Sequence, residues 1–263
     1  IQIKGGKTVL IDAGANVKDK LIPFLNDNKI KYFDYAFISH AHKDHYGGIP
    51  ILIRNNISIN EIYFNLPNKS VCDRELPWGC NYFDVKSHFN FYEKNSIIRK
   101  EVNGGEIFDL GNDVILKILY AFDGYNTPFG QTDINDTSLI MSLESGDHKF
   151  LFTGDLNAKL SEYIVETSKD IQADVLKVPH HGTEGLARNS FFKKVNPIYA
   201  LVPSPKSLWC SDRSARPRKW FIENKVKTYI NGFSGNIKVQ ILDNELSVIP
   251  EKEVKDPCSQ SHN

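Results

Sequence analysis

The sequence predicts an α/β fold of mixed β-sheets with helices packed outside them. Apolar, strand-like runs alternate with stretches in which apolar residues repeat at helical spacing. Several strands are also joined by tight turns, such as Ser145-Gly146-Asp147, which connect antiparallel neighbours. Alternation alone would favour one parallel sheet, so the hairpins indicate either a mixed sheet or two sheets.

The elements of the first half follow from short β-branched runs and from the helical spacing of apolar residues. Residues 66–95 are aromatic and polar with little periodicity, and we expect an irregular insertion or a loop on the substrate side. The predicted strands are 8–12, 33–39 and 61–65, and the predicted helices are 17–25 and 49–53.

The second half repeats this alternation and closes with a hairpin. A single domain is therefore expected over residues 1–250, followed by a polar tail at 251–263. The predicted strands are 114–120, 138–143, 149–153, 175–178 and 199–202, the helices are 157–167, 190–195 and 218–224, and the hairpin pairs 237–242 with 246–249.

Composition and charge exclude several classes of protein. The 263 residues are 41% hydrophobic and 24% charged, which is typical of a globular protein and not of a disordered one. Lys+Arg and Asp+Glu are balanced at 32 each, so the overall charge favours neither a nucleic acid nor a membrane surface, and only local basic clusters leave such binding open. No apolar run approaches the roughly 18 residues that a membrane helix needs.

The cysteines and the first residue leave the compartment undecided. The four cysteines show no CxxC spacing, so a zinc ribbon is not expected. A Cys72–Cys80 disulfide would be compatible with an exported protein. The chain does not begin with Met, which is compatible with a removed signal peptide, a further strand or a fused domain. Cytoplasmic and exported locations both stay open, as does the oligomeric state.

Metal-ligand side chains are concentrated directly after the strand at 33–39. His40, His42, Asp44 and His45 lie within six residues, in a chain with eight histidines. In an extended segment His40 and His42 would point to the same side, and Asp44 and His45 would follow on a helical turn. Imidazole and carboxylate are ligands for zinc, iron or manganese, so the segment predicts a metal site.

Two further apolar strands end in residues of the same chemistry. Asp155 follows the strand at 149–153, and His180 and His181 follow the strand at 175–178. Each has an ordinary structural explanation, since Asp155 could cap the next helix and the paired histidines could simply belong to a loop. Three strands that each end in ligand-type side chains are better explained by one metal centre.

Together these segments resemble the metallo-β-lactamase superfamily. SHAHKDHYGG is similar to its HxHxDH signature, and LIDAG, FTGD and LKVPHHGT match its other landmarks in the same order. NDTSLIM, LFTGDL and DVLKVPHHGT resemble more closely the soluble hydrolase domain of ComEC-type competence proteins. The resemblance covers most of residues 8–249, and it implies an αββα sandwich with two metal ions at the strand ends between the sheets.

The resemblance also implies a role for each matching residue. It assigns His40 and His42 to the first metal ion and Asp44 and His45 to the second, with Asp155 as the carboxylate that bridges both ions.

The remaining matches concern the second ion and proton transfer. His180 matches its last ligand, and His181 is either an alternative ligand or a proton donor. Asp44 and His181 are the candidates for moving protons during catalysis. Asp12 in LIDAG matches a carboxylate that orients a ligand histidine, or it is a turn residue at the end of a strand.

One departure from the family pattern affects the first metal ion. Many members place another histidine between the first motif and the GD strand, but only His88 and His148 lie there, and we expect both at the surface. Asn135-Asp136 stands at the matching position. Either Asp136 or a water completes the site, or the first metal site is weaker, or the pair is only a turn before the next strand. An oxygen ligand would suit manganese better than an all-nitrogen shell.

A second departure affects substrate binding. ComEC-like domains usually carry a Gly-His-Pro-type motif after the strand equivalent to 199–202, and this sequence has LWCSDRSARP there. Arg213 or Arg216 could bind a phosphate through two parallel hydrogen bonds, or both could be surface charges at the start of a helix.

The resemblance implies a metal-dependent hydrolase, and we expect a phosphodiesterase or nuclease. Two divalent cations, zinc or manganese, would lower the pKa of a shared water and supply hydroxide near neutral pH. The expected substrate is a nucleic acid, a nucleotide or a small phosphoester. Aromatic residues of the segment 66–95, including Trp78, either stack on a base or a choline group or pack together as a small cluster.

Three alternatives stay open at this stage. The same fold also serves C–N and thioester hydrolases of the lactamase and glyoxalase kind, as well as diiron oxidoreductases, which need a fuller ligand shell. The third is a non-catalytic binding module that a metal stabilises.

Overall fold

A computed structural model of the chain describes residues 1–15, 17–76, 79–168, 170–183, 185, 187–253 and 258. The chain divides into two compact units, Ile1–Ile140 and Met141–Asn263, which we describe in turn. The single domain over residues 1–250 stays a prediction. Most of the predicted tail at 251–263 lies outside the described residues.

The first unit contains a parallel sheet and an antiparallel strand pair. In the sheet, β1, β2, β3 and β4 are neighbours in that order, and β5 pairs with β6. The strands are β1 (Val9–Ile11), β2 (Tyr32–Phe37), β3 (Ser58–Tyr63), β4 (Ile98–Lys100), β5 (Ile107–Asp109) and β6 (Val114–Tyr120), and the helices are α1 (Leu21–Asp27), α2 (Lys43–Tyr46), α3 (Ile49–Arg54), α4 (Lys69–Asp73) and α5 (Tyr82–Lys94), with a 3-10 turn at Asn135–Thr137.

Aromatic rings from β2, β3 and β5 pack together in the first unit. The ring of Phe37 stacks on Tyr63 with centroids 4.9 Å apart, and Phe108 meets Phe37 edge-on at 5.1 Å. Such pairs stabilise a core beyond the burial of their area. Because β1 and β2 are parallel, with Ile11 opposite Phe37, the residues that follow both strands emerge at the same edge of the sheet.

The second unit contains strands in the order β11-β10-β9-β8-β7 and a terminal hairpin. β7 and β8 are antiparallel, and β8 to β11 are parallel. The strands are β7 (Ile140–Ser145), β8 (His148–Phe152), β9 (Val175–Lys177), β10 (Tyr199–Val202), β11 (Lys227–Ile230), β12 (Ile237–Leu242) and β13 (Glu245–Pro250), and the helices are α6 (Ala158–Thr167), α7 (Asn189–Val195), α8 (Lys206–Trp209), α9 (Ala215–Glu223) and α10 (Asn231–Ser234), with 3-10 turns at Pro179–Gly182 and Asp212–Ser214.

Parallel pairing also sets the edge at which the second unit carries its polar residues. Leu151 of β8 lies opposite Leu176 of β9, and both side chains are buried. The chain leaves β8 toward Asp155 and leaves β9 toward His180, so both segments begin at the same edge. The predicted hairpin forms as β12 and β13.

The interpretation of residues 66–95 as irregular is wrong, because the segment contains α4 and α5. Asn68 and Asn81 cap these helices, since their side-chain oxygens accept hydrogen bonds from the N–H groups of Val71 and Asp84 at 3.0 and 3.1 Å. Mixed polar and aromatic residues hide the helical period of the segment in the sequence.

The aromatic residues of this segment have different environments. Phe89 and Tyr92 are buried on α5, with ring centroids 5.9 Å apart, and Phe83 is exposed. Phe89 and Tyr92 therefore pack together as a small cluster. Trp78 lies outside the described residues.

Two disulfides are present. One joins Cys72 to Cys80, the pairing that the sequence left open, and the other joins Cys210 to Cys258. Among the described residues, the helices are all too short or too polar to cross a bilayer.

Candidate metal centre

The first group of ligand-type side chains lies between the end of β2 and the start of α2. His40 and His45 are buried, His42 is half-buried, and the Asp44 side chain is 54% exposed. His42 is the N-cap of α2 and has an extended backbone. The chain therefore changes from extended to helical between His42 and Asp44, as the sequence predicts.

Asp12 holds His45 through a network of hydrogen bonds. Its Oδ2 lies 2.8 Å from His45 Nδ1 and accepts from Ser39 Oγ at 2.8 Å, and its Oδ1 accepts from the Ser39 N–H at 2.7 Å. Because a carboxylate accepts, Nδ1 of His45 carries a proton, and a neutral ring then has its lone pair on Nε2. This is the arrangement by which proteins orient metal-ligating histidines.

Glu75 holds His42 in the same way, and the sequence analysis missed it. Glu75 Oε2 lies 2.8 Å from His42 Nε2, so His42 donates from Nε2 and a neutral ring carries its lone pair on Nδ1. That Nδ1 faces Nε2 of His40 at 3.1 Å. Ser39 Oγ lies 3.0 Å from the other nitrogen of His40, its Nδ1.

The hydrogen bonds to Glu75 keep its carboxylate ionised. Burial alone would raise the pKa of Glu75, but hydrogen bonds from His42 and from the backbone N–H groups of Ile134 and Cys80 outweigh burial and lower it. Glu75 has no motif around it that would have identified it. Only its place between two cysteines distinguishes it in the sequence.

Asp136 lies in the 3-10 turn Asn135–Thr137, which supports the interpretation of Asn135-Asp136 as a turn. Its carboxylate is buried and accepts from Thr132 Oγ1 at 3.0 Å. Its role as a metal ligand stays a prediction.

The second group of ligand-type side chains follows β8 and β9. Asp155 is buried, and its Oδ2 lies 3.3 Å from Nε2 of His181. Lys177 Nζ lies 3.3 Å from Oδ1 of the same carboxylate. Nδ1 of His181 donates to the carbonyl of Pro203 at 2.8 Å, because a carbonyl can only accept. A neutral His181 therefore directs its lone pair toward Asp155.

The structure places His181 against Asp155 and His180 against Asn157. Nδ1 of His180 lies 2.7 Å from the side-chain oxygen of Asn157. Both histidines have left-handed backbones, with φ of 46° and 54°, and Gly182 continues the turn at φ 70°. A Cβ at Gly182 would lie 2.6 Å from the Trp209 ring, so this turn requires glycine.

The two arginines predicted to bind substrate have different environments. Arg213 is exposed in the turn Asp212–Ser214. Arg216 donates to Asn189 Oδ1 at 2.6 Å and to the Ala187 carbonyl at 2.8 Å, and burial and the neighbouring Arg188 lower its pKa. Substrate binding by either residue stays a prediction.

The expectation that His88 lies at the surface is wrong. The His88 ring packs edge-on against Tyr46 at 4.7 Å, because α5 covers α2 where the sequence predicted a loop. Burial lowers its pKa. His148 lies at the β7–β8 turn, with Nε2 2.9 Å from the carbonyl of Asn244.

Comparisons with known proteins agree with these motifs. A family model described as the Metallo-beta-lactamase superfamily matches residues 1–57, which contain the first ligand group. ComE operon protein 3 from Bacillus subtilis (strain 168) is 26% identical over 187 residues, which are 71% of this chain and 22% of that protein. The chain is thus similar to the metallo-β-lactamase superfamily over residues 1–57 and to ComE operon protein 3 over most of its length.

The structural comparison confirms the predicted metallo-β-lactamase fold class. The chain matches the metallo-beta-lactamase fold protein YhfI from Bacillus subtilis with a TM-score of 0.54 and 16% identity, over 87% of this chain and 86% of that one.

Probable RNase MJ4 from Methanocaldococcus jannaschii is 35% identical over 72 residues, or 27% of this chain and 17% of that protein. The chain thus spans less than a quarter of the length of both curated relatives.

The ligand-type residues of this chain suit a divalent metal ion. Two nitrogens bound to one tetrahedral zinc at about 2.05 Å lie about 3.3 Å apart. The His40–His42 nitrogens are 3.1 Å apart, and Asp155 Oδ2 is 3.3 Å from His181 Nε2. Asp44 and His45 also offer ligand atoms within 4.8 Å of each other. Spacing and donor chemistry therefore fit zinc or a similar cation.

Proposed function

We propose that this chain is a metal-dependent hydrolase that cleaves phosphodiester bonds. One observation carries the proposal: three imidazoles are each held at one ring nitrogen by an oxygen that accepts a hydrogen bond from its N–H. Asp12 holds His45, Glu75 holds His42, and the Pro203 carbonyl holds His181. Each neutral ring then presents a lone pair from its other nitrogen, which is the form that binds a metal ion.

The proposed ligands follow the family pattern. Zinc is the metal that we expect to be bound, and manganese would be favoured if Asp136 adds an oxygen ligand. When bound, two divalent cations would lower the pKa of water and neutralise charge that develops on a phosphate. The residues that would hold them are His40, His42 and Asp136 for one ion, Asp44, His45 and either His181 or His180 for the other, and Asp155 for both.

The protein side chains orient this chemistry and move protons. The Lys177 ammonium lies beside Oδ1 of Asp155, so it holds the buried carboxylate with Oδ2 directed at His181. Asp44 is 54% exposed, which allows it to exchange a proton with solvent, and His181 is the alternative proton donor.

The similarity to a protein named as an RNase supports a nucleic acid or nucleotide as the substrate. The net charge of zero favours a short contact with a few phosphates over wrapping of a long polyanion. Arg213, which is exposed, is the proposed phosphate contact.

The test combines elemental analysis with turnover of bis-p-nitrophenyl phosphate by the purified chain. We expect about two equivalents of divalent metal and turnover that falls at least a hundredfold in Asp155→Ala. Asp170→Ala is the matched control, because that aspartate is exposed and bonds to Lys149. Circular dichroism shows whether each variant is folded.

Each other outcome changes the proposal. Unchanged turnover in folded Asp155→Ala would remove Asp155 from the site. Turnover of nitrocefin or a glutathione thioester without phosphodiester cleavage would favour a C–N or thioester hydrolase. Bound metal without turnover on any of these esters would indicate a binding module.

A further inference from the structure

Glu75 lies in a short segment that is anchored at both ends. Cys72 and Cys80 are fully buried and joined by a disulfide. The N–H of Glu75 donates to the Cys72 carbonyl at 2.9 Å, and the backbone N–H of Cys80 donates to the Glu75 carboxylate. The disulfide therefore closes a loop whose two ends both contact Glu75.

The Glu75 carboxylate connects this loop to the first ligand group. Oε2 contacts His42 Nε2 at 2.8 Å, and Oε1 accepts from the N–H of Ile134. The two side chains are only 17% and 19% exposed, for Glu75 and His42 respectively. Water therefore competes little for this hydrogen bond.

Gly79 leaves the space that Glu75 occupies. A Cβ at position 79 would lie 2.2 Å from Oε2 of Glu75 and 2.7 Å from its Cβ. Any larger residue there must displace the Glu75 side chain. The loop thus carries two features, a disulfide and a glycine, that hold one carboxylate against His42.

We propose that Glu75 is a positioning residue for metal binding, and that the Cys72–Cys80 disulfide and Gly79 hold it against His42. The inference rests on the proposed function, because it requires His42 to bind a metal ion through Nδ1. Glu75 fixes the proton on Nε2, orients the ring and makes Nδ1 a better donor. Loss of such a partner typically lowers metal affinity by about 10–100-fold.

The experiment measures Zn²⁺ affinity of the purified chain by competition with a fluorescent chelator. We expect affinity for one of the two ions to fall about 10–100-fold in Glu75→Ala. It should also fall in Glu75→Gln, because the single amide oxygen cannot accept from both the Ile134 N–H and His42 Nε2–H. Gly79→Ala and the double variant Cys72→Ser/Cys80→Ser should both lower the affinity for the same ion.

Two controls separate positioning from general destabilisation. Glu101→Ala removes an exposed carboxylate from the same unit, and Cys210→Ser/Cys258→Ser removes the disulfide of the other unit. Both should retain wild-type affinity for that ion. A second readout is the ¹⁵N NMR spectrum of His42 in metal-free protein, which should show an Nε2–H ring in the wild type and a mixture of tautomers in Glu75→Ala.

The outcomes distinguish this inference from the proposed function. If the wild type binds no metal, the proposed function fails and this inference fails with it. If the wild type binds two ions and folded Glu75→Ala and Gly79→Ala bind them equally well, only this inference fails. Because Gly79→Ala and Glu75→Gln keep the disulfide, a folding defect in the double serine variant does not prevent the test.

Discussion

Replacing Asp12 by Asn tests whether this carboxylate sets the protonation of His45. Asp12 has a left-handed backbone, with φ 55°, and Asn adopts that conformation as readily as Asp. The change therefore replaces one oxygen by an amide without adding backbone strain. The Ser39 N–H requires the remaining amide oxygen, so the NH₂ group takes the place of Oδ2 and faces His45 Nδ1. Because NH₂ cannot accept from Nδ1–H, the ring then favours the tautomer with its proton on Nε2.

The expected loss of stability follows from the hydrogen bonds that Asp12 accepts from the Ser39 N–H, the Ser39 hydroxyl and His45. A hydrogen bond to a charged acceptor contributes about 1.5–3 kcal/mol, and a hydrogen bond between neutral groups contributes about 0.5–1.5 kcal/mol. Replacing the carboxylate by an amide therefore costs about 1 kcal/mol per hydrogen bond. The Asp12 side chain is 17% exposed, which reduces the sum. We expect the free energy of unfolding to fall by about 2 kcal/mol without metal.

The measurement is urea unfolding in the presence of a chelator, followed by a Zn²⁺ titration of the folded variant. Metal affinity should also fall by about 10–100-fold, because a proton now occupies Nε2 of His45. Asp27→Asn is the control, since Asp27 is exposed at the end of α1. A loss below about 0.5 kcal/mol together with unchanged Zn²⁺ affinity would refute the assigned hydrogen-bond roles.

Three further predictions concern other residues. His181→Ala should weaken Zn²⁺ binding at least tenfold and more than His180→Ala, because His181 faces Asp155; the opposite ranking in a chelator competition would make His180 the ligand. Burial lowers the pKa of His88, so the unfolded chain binds its proton more tightly and stability falls as the pH drops below the ordinary value of 6.5. Urea unfolding between pH 7 and pH 5 should show a smaller fall for His88→Gln, and equal falls would contradict this assignment. Arg213→Ala should reduce the salt dependence of oligonucleotide binding by about one phosphate contact in fluorescence anisotropy while the melting temperature stays unchanged, and an unaltered salt dependence would exclude that contact.

Strands were predictable where apolar runs are long enough to show their pattern. β6 and β10 have the predicted limits, 114–120 and 199–202. The three-residue strands β4 and β5 were missed because so few residues carry no measurable period. Helix α5 was missed because its polar and aromatic residues do not form a clear apolar stripe.

The ligand-type residues were visible because their chemistry is local. His40, His42, Asp44 and His45 are consecutive enough to be recognised together, and Asp155 stands at the end of an apolar strand. The sequence could not separate His181 from His180. Adjacent residues in a turn differ only in direction, and that direction depends on the left-handed turn and on the Pro203 carbonyl.

By itself, the sequence determined an α/β fold and the kinds of atom offered to a metal, because hydrophobic period and residue type are properties of short segments. The tertiary structure decided which acceptor holds each ring: Asp12 for His45 across 33 residues, and Glu75 for His42 across the same separation. A hydrogen bond between such distant residues depends on strand register, helix packing and a disulfide. None of these can be read from a short segment, so the protonation of each imidazole became visible only in the folded chain.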